Sequence, residues 1–334
     1  MADDDDDDGA PGWDAIDEAL GRLYPGIEPR HWGTLISHRL GGPDPLDGIS
    51  AYPRTAPFPH WHYVTYGFSE LYEKESSDPE ISGYGFELTM RVYVPQLGPE
   101  APTWPVTLLQ NLARYVFETG SVLRVGDYVN LESPIVGDVP TGLVGFAVAA
   151  DPELGPVAGP FGKADFRQFV GLTGDELAIC KTWRTGSFLE TLRPNLPLLL
   201  TDLARPSFAS RPHVQQAVAE GIRREGSSAG VLYTPELQVA VSDSGVVVTL
   251  TRQAVGDLLQ VLPGRIPHGK PLRLEGTATT VFLEPADAPS LTAAPDGRIA
   301  IDLTVPAMES LLAVIGRTPG TYPTQVPGLT VAVA

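Results

Sequence analysis

Between His60 and Leu131 the chain reads HWHYVTYGFSELY, then GYGFELTMRVYV, then APTWPVTLLQNLARYVF, then GDYVNL. Few folds accommodate such a block. Alternation over His60–Phe68 predicts a strand, with His60, His62, Val64 and Tyr66 on one face and Trp61, Tyr63 and Thr65 on the other, and a shift at Gly67. In Phe86–Val94 the apolar Phe86, Leu88, Met90 and Val92 share one face, and Glu87, Thr89, Arg91 and Tyr93 the other. That is the pattern of a half-buried strand, and its spacing from the first predicts a hairpin. Thr103 is the expected cap of a helix with Pro105 in its first turn, an apolar stripe from Leu108 to Phe117, Tyr115 at the stripe's margin and Gly120 as its stop. Val129 and Leu131 continue into a third strand.

Outside the block, 33 prolines and 35 glycines predict short elements separated by many turns. Trp13–Tyr24 has helical spacing, HWGTLISH a short second element, and the segment GGPDPLDGISAYPRTAPFP is expected to be loop. Residues 142–150 and the run VAGPFGKADFRQFVGLT predict strands, Thr173 and Glu176 a capping box, Ser187–Leu192 a short helix, LPLLLTDLAR a strand and His213–Glu225 a helix. Val231–Tyr233 reads as an edge strand. From Pro235 aromatics give way to aliphatics, which places a domain boundary there. Beyond it, residues 245–265 are echoed by 297–317, with Leu250-Thr251 answering Leu303-Thr304. The echo predicts a duplicated strand–helix–strand unit; the alternative is two coincidentally similar amphipathic segments. The expected organisation is an acidic disordered tail over residues 1–12, a domain over 13–234 and a smaller α+β domain over 235–334.

Composition excludes more than it assigns. Forty-one acidic against 23 basic residues give a net charge of −18, which opposes unassisted binding to nucleic acid or anionic membrane. No apolar run approaches the roughly eighteen residues a spanning helix needs, and the acidic start is unlike a signal peptide. The single cysteine, Cys180, allows no intrachain disulfide and reads as a buried thiol on a helix. These features fit a cytoplasmic protein. Residues 264–270, GRIPHGK, match the spacing of a phosphate loop, but Pro271 stands where a serine or threonine is required and the segment follows a helix. They read instead as a turn with a basic tip, offering Arg265, His268 and Lys270 to a partner. His60 and His62 share a strand face that suits a metal, but His31, His38 or an acid would have to complete the set; packed histidines are the preferred reading. No catalytic motif is present.

The motifs WHYVTYGFSELY, SGYGFELTMRV, APTWPVTLLQNLARYVF, GDYVNLESPI, GPFGKADFRQFVGLTGDEL and LTDLARP resemble the suppressor of fused family in order and spacing from about residue 13 to 234. VVTLTRQAVGDLLQVLPGRIPHGKPLRLEG extends the likeness into the second domain. The resemblance implies an α+β fold of two mixed lobes, each an antiparallel or mixed sheet packed with helices. It implies a cytosolic regulator that closes on an extended peptide, added as a strand between the lobes, with no cofactor. The family's peptide-holding tyrosine and aspartate match Tyr115 and Asp127, and its edge strand matches Val231–Tyr233. The long insertion and the C-terminal tail of animal members are missing, and the compact acid-led form looks bacterial. Bacterial relatives are associated with toxin immunity, and an acidic surface suits a basic toxin. The expected function is non-enzymatic binding of a protein or peptide, as an immunity protein or as a general regulatory scaffold; an unrecognised hydrolase or metal-dependent enzyme is the remaining alternative.

Overall fold

Strand β4, Ile81–Tyr93, lies at the middle of an eight-stranded sheet and is buried on both faces from Phe86 to Val92. The computed structural model describes residues 9–34, 38, 41–243, 245–294, 297–316 and 318–334. The chain packs into two units, residues 1–177 with 189–208, and residues 178–188 with 209–334. Most of the acidic tail, including Asp3–Asp8, lies outside the described residues, as does part of HWGTLISH.

In the first unit the strands are β1 (Arg30–Gly33), β2 (Gly48–Arg54), β3 (His60–Tyr66), β4, β5 (Tyr128–Asn130), β6 (Leu143–Ala150), β7 (Val157–Gly159) and β8 (Gly162–Thr173). They are ordered β1-β2-β3-β4-β8-β6-β5, with β7 on β8; only β4 and β8 run parallel. The predicted β3–β4 hairpin forms, with His60 opposite Tyr93 and Val64 opposite Thr89. Helix α2 (Trp104–Thr119) sets Leu109, Leu112, Ala113 and Val116 into a core with Trp61, Tyr63, Phe86, Leu88 and Met90. Gly120 ends it at φ 68°, a left-handed cap that glycine adopts without penalty. Thr103 stands at its N-cap, but its hydroxyl makes no capping bond. Helix α1 (Pro11–Leu23) builds a second core from Ile16, Leu20 and Tyr24 with Val64, Tyr66 and Phe166. The sheet is therefore covered by apolar side chains on both sides.

Several expectations change. Glu87, Thr89 and Arg91 are fully buried, so β4 is not half-exposed. The segment expected to be loop contains β2, paired to both β1 and β3. Pro53 is tolerated there because β1 reaches only as far as Ala51, leaving the proline on an open edge. Residues Pro11 and Gly12 belong to α1 and not to a tail: a Cβ on Gly12 would lie 2.0 Å from the Glu70 carbonyl. LPLLLTDLAR is not a strand. Pro197–Leu199 form a 3-10 turn, Leu198 and Leu199 have positive φ, and only Thr201 bridges to Val92.

In the second unit the two echoed stretches lie in matching runs of elements. Each copy is hairpin, helix, hairpin: β10 (Gln238–Ser242), β11 (Gly245–Leu250), α6 (Arg252–Val261), β12 (Leu272–Glu275) and β13 (Thr280–Pro285), then β14 (Ser290–Ala293), β15 (Ile299–Leu303), α7 (Val305–Val314), β16 (Gly320–Pro323) and β17 (Leu329–Val333). Thr251 and Thr304 cap the two helices alike, accepting from the N–H groups of Ala254 and Ala307 at 3.2 and 3.1 Å. The copies exchange hairpins. β11 pairs in parallel with β17 of the other copy, and β15 with β13, giving sheets β10-β11-β17-β16 and β14-β15-β13-β12-β9. The extra strand β9 (Val231–Tyr233) precedes the duplication and lies parallel to β12.

That pairing explains why the units do not divide at residue 235. β9 is built into the second unit's sheet, and helix α5 (Pro212–Glu225) belongs there too. A Cβ on Gly221 of α5 would fall within 2.4 Å of three atoms of the Trp183 ring, whose Nε1 donates to Glu225 at 3.0 Å. Residues 178–188 are thereby fixed on α5. The division between the units falls inside helices α3 (Gly174–Thr182) and α4 (Thr185–Leu192), where periodicity gives no boundary signal.

Candidate functional site

Each unit has a short strand at a sheet edge, open on one side. In the first unit this strand is β5, paired to β6 alone. The turn before it is fixed by Asp127, whose carboxylate accepts from the Arg124 N–H at 2.8 Å while its own N–H donates to the Arg124 carbonyl at 2.9 Å. Asp127 is exposed, as are Val125 and Leu131 on either side of the strand. Arg167 supports the turn from below, donating to the Leu123 carbonyl at 2.6 Å while lying 4.1 Å from the Phe86 ring. Tyr115 is 48% exposed, since α2 turns Leu112, Ala113 and Val116 inward and leaves it outside that stripe.

In the second unit β9 is one of four edge strands, with β14 at the other end of its sheet and β10 and β16 in the second sheet. Leu232 points into the core, while Val231 and Tyr233 are 43% and 66% exposed. An edge strand with exposed backbone and two outward apolar side chains is a template for strand addition. The basic turn sets its position. Arg265 is buried and spends all three guanidinium nitrogens internally, donating to the carbonyls of Ser227 (2.8 Å) and Pro271 (3.0 and 2.6 Å). Lys270 Nζ donates to the Glu225 carbonyl at 2.5 Å. The His268 ring lies half-buried against Gly226. The expected basic tip is thus a clamp on the α5–β9 connection: Arg265 is buried and turns three of its five N–H donors inward to hold it. GRIPHGK forms two 3-10 turns, so the phosphate-loop geometry is absent.

The structure brings Val231 and Tyr233 together on one strand and Arg265 and His268 together on one turn, and it places Tyr115 and Asp127 in the other unit. His60 and His62 are buried. His60 Nδ1 donates to the Phe58 carbonyl at 2.7 Å. His62 Nδ1 meets the Tyr24 hydroxyl at 2.7 Å, and its Nε2 lies 3.2 Å from Asp151. Burial, then the Arg91 charge, pushes His62 down to about 4, so the neutral ring accepts from Tyr24 and presents Nε2–H to the carboxylate. His31 and His38, the suggested completing ligands, bond to Ser50 and to the Gly42 carbonyl. Among the described residues no group of three His, Cys, Asp or Glu side chains is placed to hold a metal, and no helix is long and apolar enough to cross a membrane. Cys180 is buried.

What sequence reasoning missed lies under α1. Arg91 forms a two-pronged pair with Asp151 (2.6 and 3.0 Å), joined by Thr89, His62, Glu153 and Gln168. Gln168 Nε2 in turn donates to the carbonyls of Leu198 and Leu199 at 2.8 and 2.9 Å, holding the strained turn. Polar residues at alternate positions on adjacent strands were the available signal. Nearby, the β3–β4 ladder stops at Val64–Thr89, and Glu87 takes over the orphaned donors, accepting from Thr65 Oγ (2.6 Å), Gly67 N–H (3.1 Å) and both Ser69 donors (2.9 and 2.6 Å).

Burial outweighs those four donors and raises Glu87 from its ordinary value of 4.5 to about 7. Because the folded value exceeds the unfolded one, Glu87 stabilises the fold below about pH 4.5 and that contribution is lost as pH rises through 7. Chemical unfolding at pH 5 and pH 8 is therefore expected to show a stability difference between wild type and Glu87→Gln that shrinks at the lower pH for the substitution's charge component. Parallel pH profiles of the two proteins would contradict this assignment.

Residues 42–206 match the family model described as suppressor of fused protein. The suppressor of fused homolog of Homo sapiens is 37% identical over 224 residues, covering 62% of this chain and 46% of that protein; the chain thus spans less than half the length of the curated relatives it matches. The crystal structure of Drosophila suppressor of fused superposes with a TM-score of 0.81 at 23% identity, covering 97% of both chains, and shows the same fold. A chain from the Sufu–Fu complex crystal structure gives 34% identity and a TM-score of 0.58, covering 63% of this chain and 98% of that one.

Proposed function

The chain belongs to the suppressor of fused family, and on that premise we propose that it is a non-catalytic scaffold that binds an extended segment of a protein partner by strand addition. The observation that carries this reading is β9: an open edge whose Val231 and Tyr233 face outward on either side of a buried Leu232. Backbone hydrogen bonds along such an edge supply affinity, and the two side chains supply selectivity. In the first unit, the exposed Tyr115 on α2 and the exposed Asp127 in the turn before β5 are the further residues that we assign to the partner. The Sufu–Fu complex supports a protein partner for one similar chain. The net charge of −18 favours a basic partner, and the specific form we put forward is a cytoplasmic bacterial immunity protein that neutralises a basic toxin. A regulatory scaffold with another partner is the alternative, and a toxin gene beside this one separates the two.

Affinity capture from the native host tests the surface itself. Against wild type, Tyr115→Ala/Asp127→Ala and Val231→Glu/Tyr233→Ala are each expected to lower recovery of the same partner by about tenfold or more, as loss of anchor residues does. Arg265→Lys is expected to weaken capture only through displacement of β9. Equal recovery by wild type and both pairs would sink the strand-addition reading.

A further inference from the structure

Of the four edges in the second unit, β10 is the longest, at five residues, and its sequence Gln-Val-Ala-Val-Ser carries no charge and no proline. Its ladder with β11 is regular from Gln238 to Ser242, so no bulge turns it away. Charges, prolines and bulges are what usually keep an edge from pairing with another chain. Two residues separate β10 from β11, so the closing pair Ser242–Gly245 exchanges its backbone bonds, and by alternation Ala240 and Gln238 do the same with Val247 and Thr249. The backbone N–H and C=O groups of Val239 and Val241 therefore face the open edge. The apolar core surface also runs out to that edge. Val241 stands opposite the buried Val246 yet is 60% exposed, whereas Val239 packs against the core. Residues 178–188 and 209–334 hold eleven Lys or Arg and eleven Asp or Glu, so this unit is formally neutral and the charge of −18 belongs to the other.

We propose that β10 pairs antiparallel with β10 of a second copy of this chain, about a two-fold axis at Ala240. A two-fold contact needs a surface complementary to itself, and this strand supplies one. Centred on Ala240, it sets Val239 opposite the copy's Val241 and Gln238 opposite the copy's Ser242, and symmetry repeats both pairs. Val239 and Val241 then exchange backbone bonds with their mates, and each exposed Val241 is covered by a Val239, which extends the core face across the edge. The small Ala240 falls at the non-hydrogen-bonded pair, where Cα atoms approach to about 4.5 Å. Charge points to the same occupant. Chains of −18 repel one another, and this edge lets two copies meet through their neutral units with no like charges opposed in the ladder. The site lies on a different sheet from β9 and does not rest on the strand-addition reading.

Sedimentation velocity of the full chain, over a concentration series reaching about 300 µM, tests the pairing. The interface is small and of the transient class, so a monomer–dimer equilibrium with a dissociation constant of roughly 10–100 µM is expected. Val241→Lys is expected to weaken it at least about tenfold, and so is Val241→Pro, which removes an outward donor and no bond to β11. Added salt is expected to strengthen the dimer by screening the repulsion between copies. Oxidation reads the register. Ala240→Cys lies at the axis and is expected to cross-link as a disulfide dimer, since Cα atoms about 4.5 Å apart can carry that bond. Ser242→Cys, more than about 13 Å from its mate, is expected not to; the native Cys180 is buried. A wild-type chain that stays monomeric throughout, a dimer that weakens with salt, Val241→Lys dimerising like wild type, or equal cross-linking of the two cysteine variants would overturn the proposal. The concentration and salt series use wild-type protein and so do not depend on any variant folding.

Discussion

Asp151→Ala is expected to destabilise the first unit by about 3–5 kcal/mol, the cost of leaving a buried charge without its partner. Arg91 and Asp151 have fully buried side chains, and the carboxylate also accepts from Thr89 at 2.7 Å and from the N–H groups of Glu153 and Leu154, both at 2.9 Å. Its removal strands the Arg91 guanidinium and frees four other donors at once. Those donors come from His62 on β3, Thr89 on β4 and the Glu153 and Leu154 N–H groups in the loop after β6, so the seam under α1 loosens as a whole. Four of the five tryptophans, Trp13, Trp32, Trp61 and Trp104, lie in this unit, so urea unfolding followed by tryptophan fluorescence reports on it. The double variant Arg91→Met/Asp151→Ala is expected to be more stable than Asp151→Ala alone, because the orphaned cation is gone. Additive losses, or a single-variant cost below about 1 kcal/mol, would show that the pair is not what holds this face. The Asp151 carboxyl is held far below the usual aspartate range through His62 and Arg91, against the opposing effect of burial. Its contribution is therefore present above that range and is lost as pH falls towards strong acid.

The same network shows where the sequence was readable. Alternation placed β3 and β4, a continuous apolar run placed β6, and the apolar stripe placed α2, because those patterns report which side chains are buried together. Alternation cannot say what covers the other face. Glu87, Thr89 and Arg91 look like a solvent-facing row, and they became an interior one because α1, sixty or more residues upstream, lies over them. β2 was hidden for a related reason: Pro, Gly and Asp around Gly48–Arg54 are turn signals, yet pairing on both sides overrides them. The duplication was legible through Thr251 and Thr304, whose identical capping is local chemistry. The hairpin exchange was not, since pairing between copies leaves no local mark. Among the candidate binding residues, periodicity predicted a marginal place for Tyr115 and an edge for Val231–Tyr233. It attached no recognition role to either; that came from the resemblance. Arg265 was misread because a Gly/Pro turn with basic residues looks exposed until its carbonyl partners at Ser227 and Pro271 are known.

Glu176 carries the second large effect, and it too was read as less than it is. The capping-box reading accounts for one of its bonds, from the Thr173 N–H at 3.1 Å. Its carboxylate also accepts from both terminal nitrogens of Arg205, at 2.8 and 2.5 Å, and from the Phe208 N–H at 2.9 Å. Both side chains are buried, and Arg205 continues to the Gly171 carbonyl at 2.8 Å and lies 5.0 Å from the Phe208 ring. This pair ties the end of the returning segment, residues 189–208, to the junction of β8 and α3. Glu176→Ala leaves Arg205 buried and unpaired and is expected to cost about 3–5 kcal/mol, with Glu176→Gln retaining part of the hydrogen bonding and losing less. Because this pair fastens the end of the returning segment, which Gln168 and Thr201 hold further upstream, the loss is expected to appear locally before it appears globally. Limited proteolysis should cut between residues 193 and 208 faster in Glu176→Ala than in wild type, at urea concentrations where tryptophan fluorescence is still native. Cleavage in that segment at the wild-type rate, or an Ala variant as stable as the Gln variant, would mean that the Arg205–Glu176 pair is not the fastening that holds the returning chain.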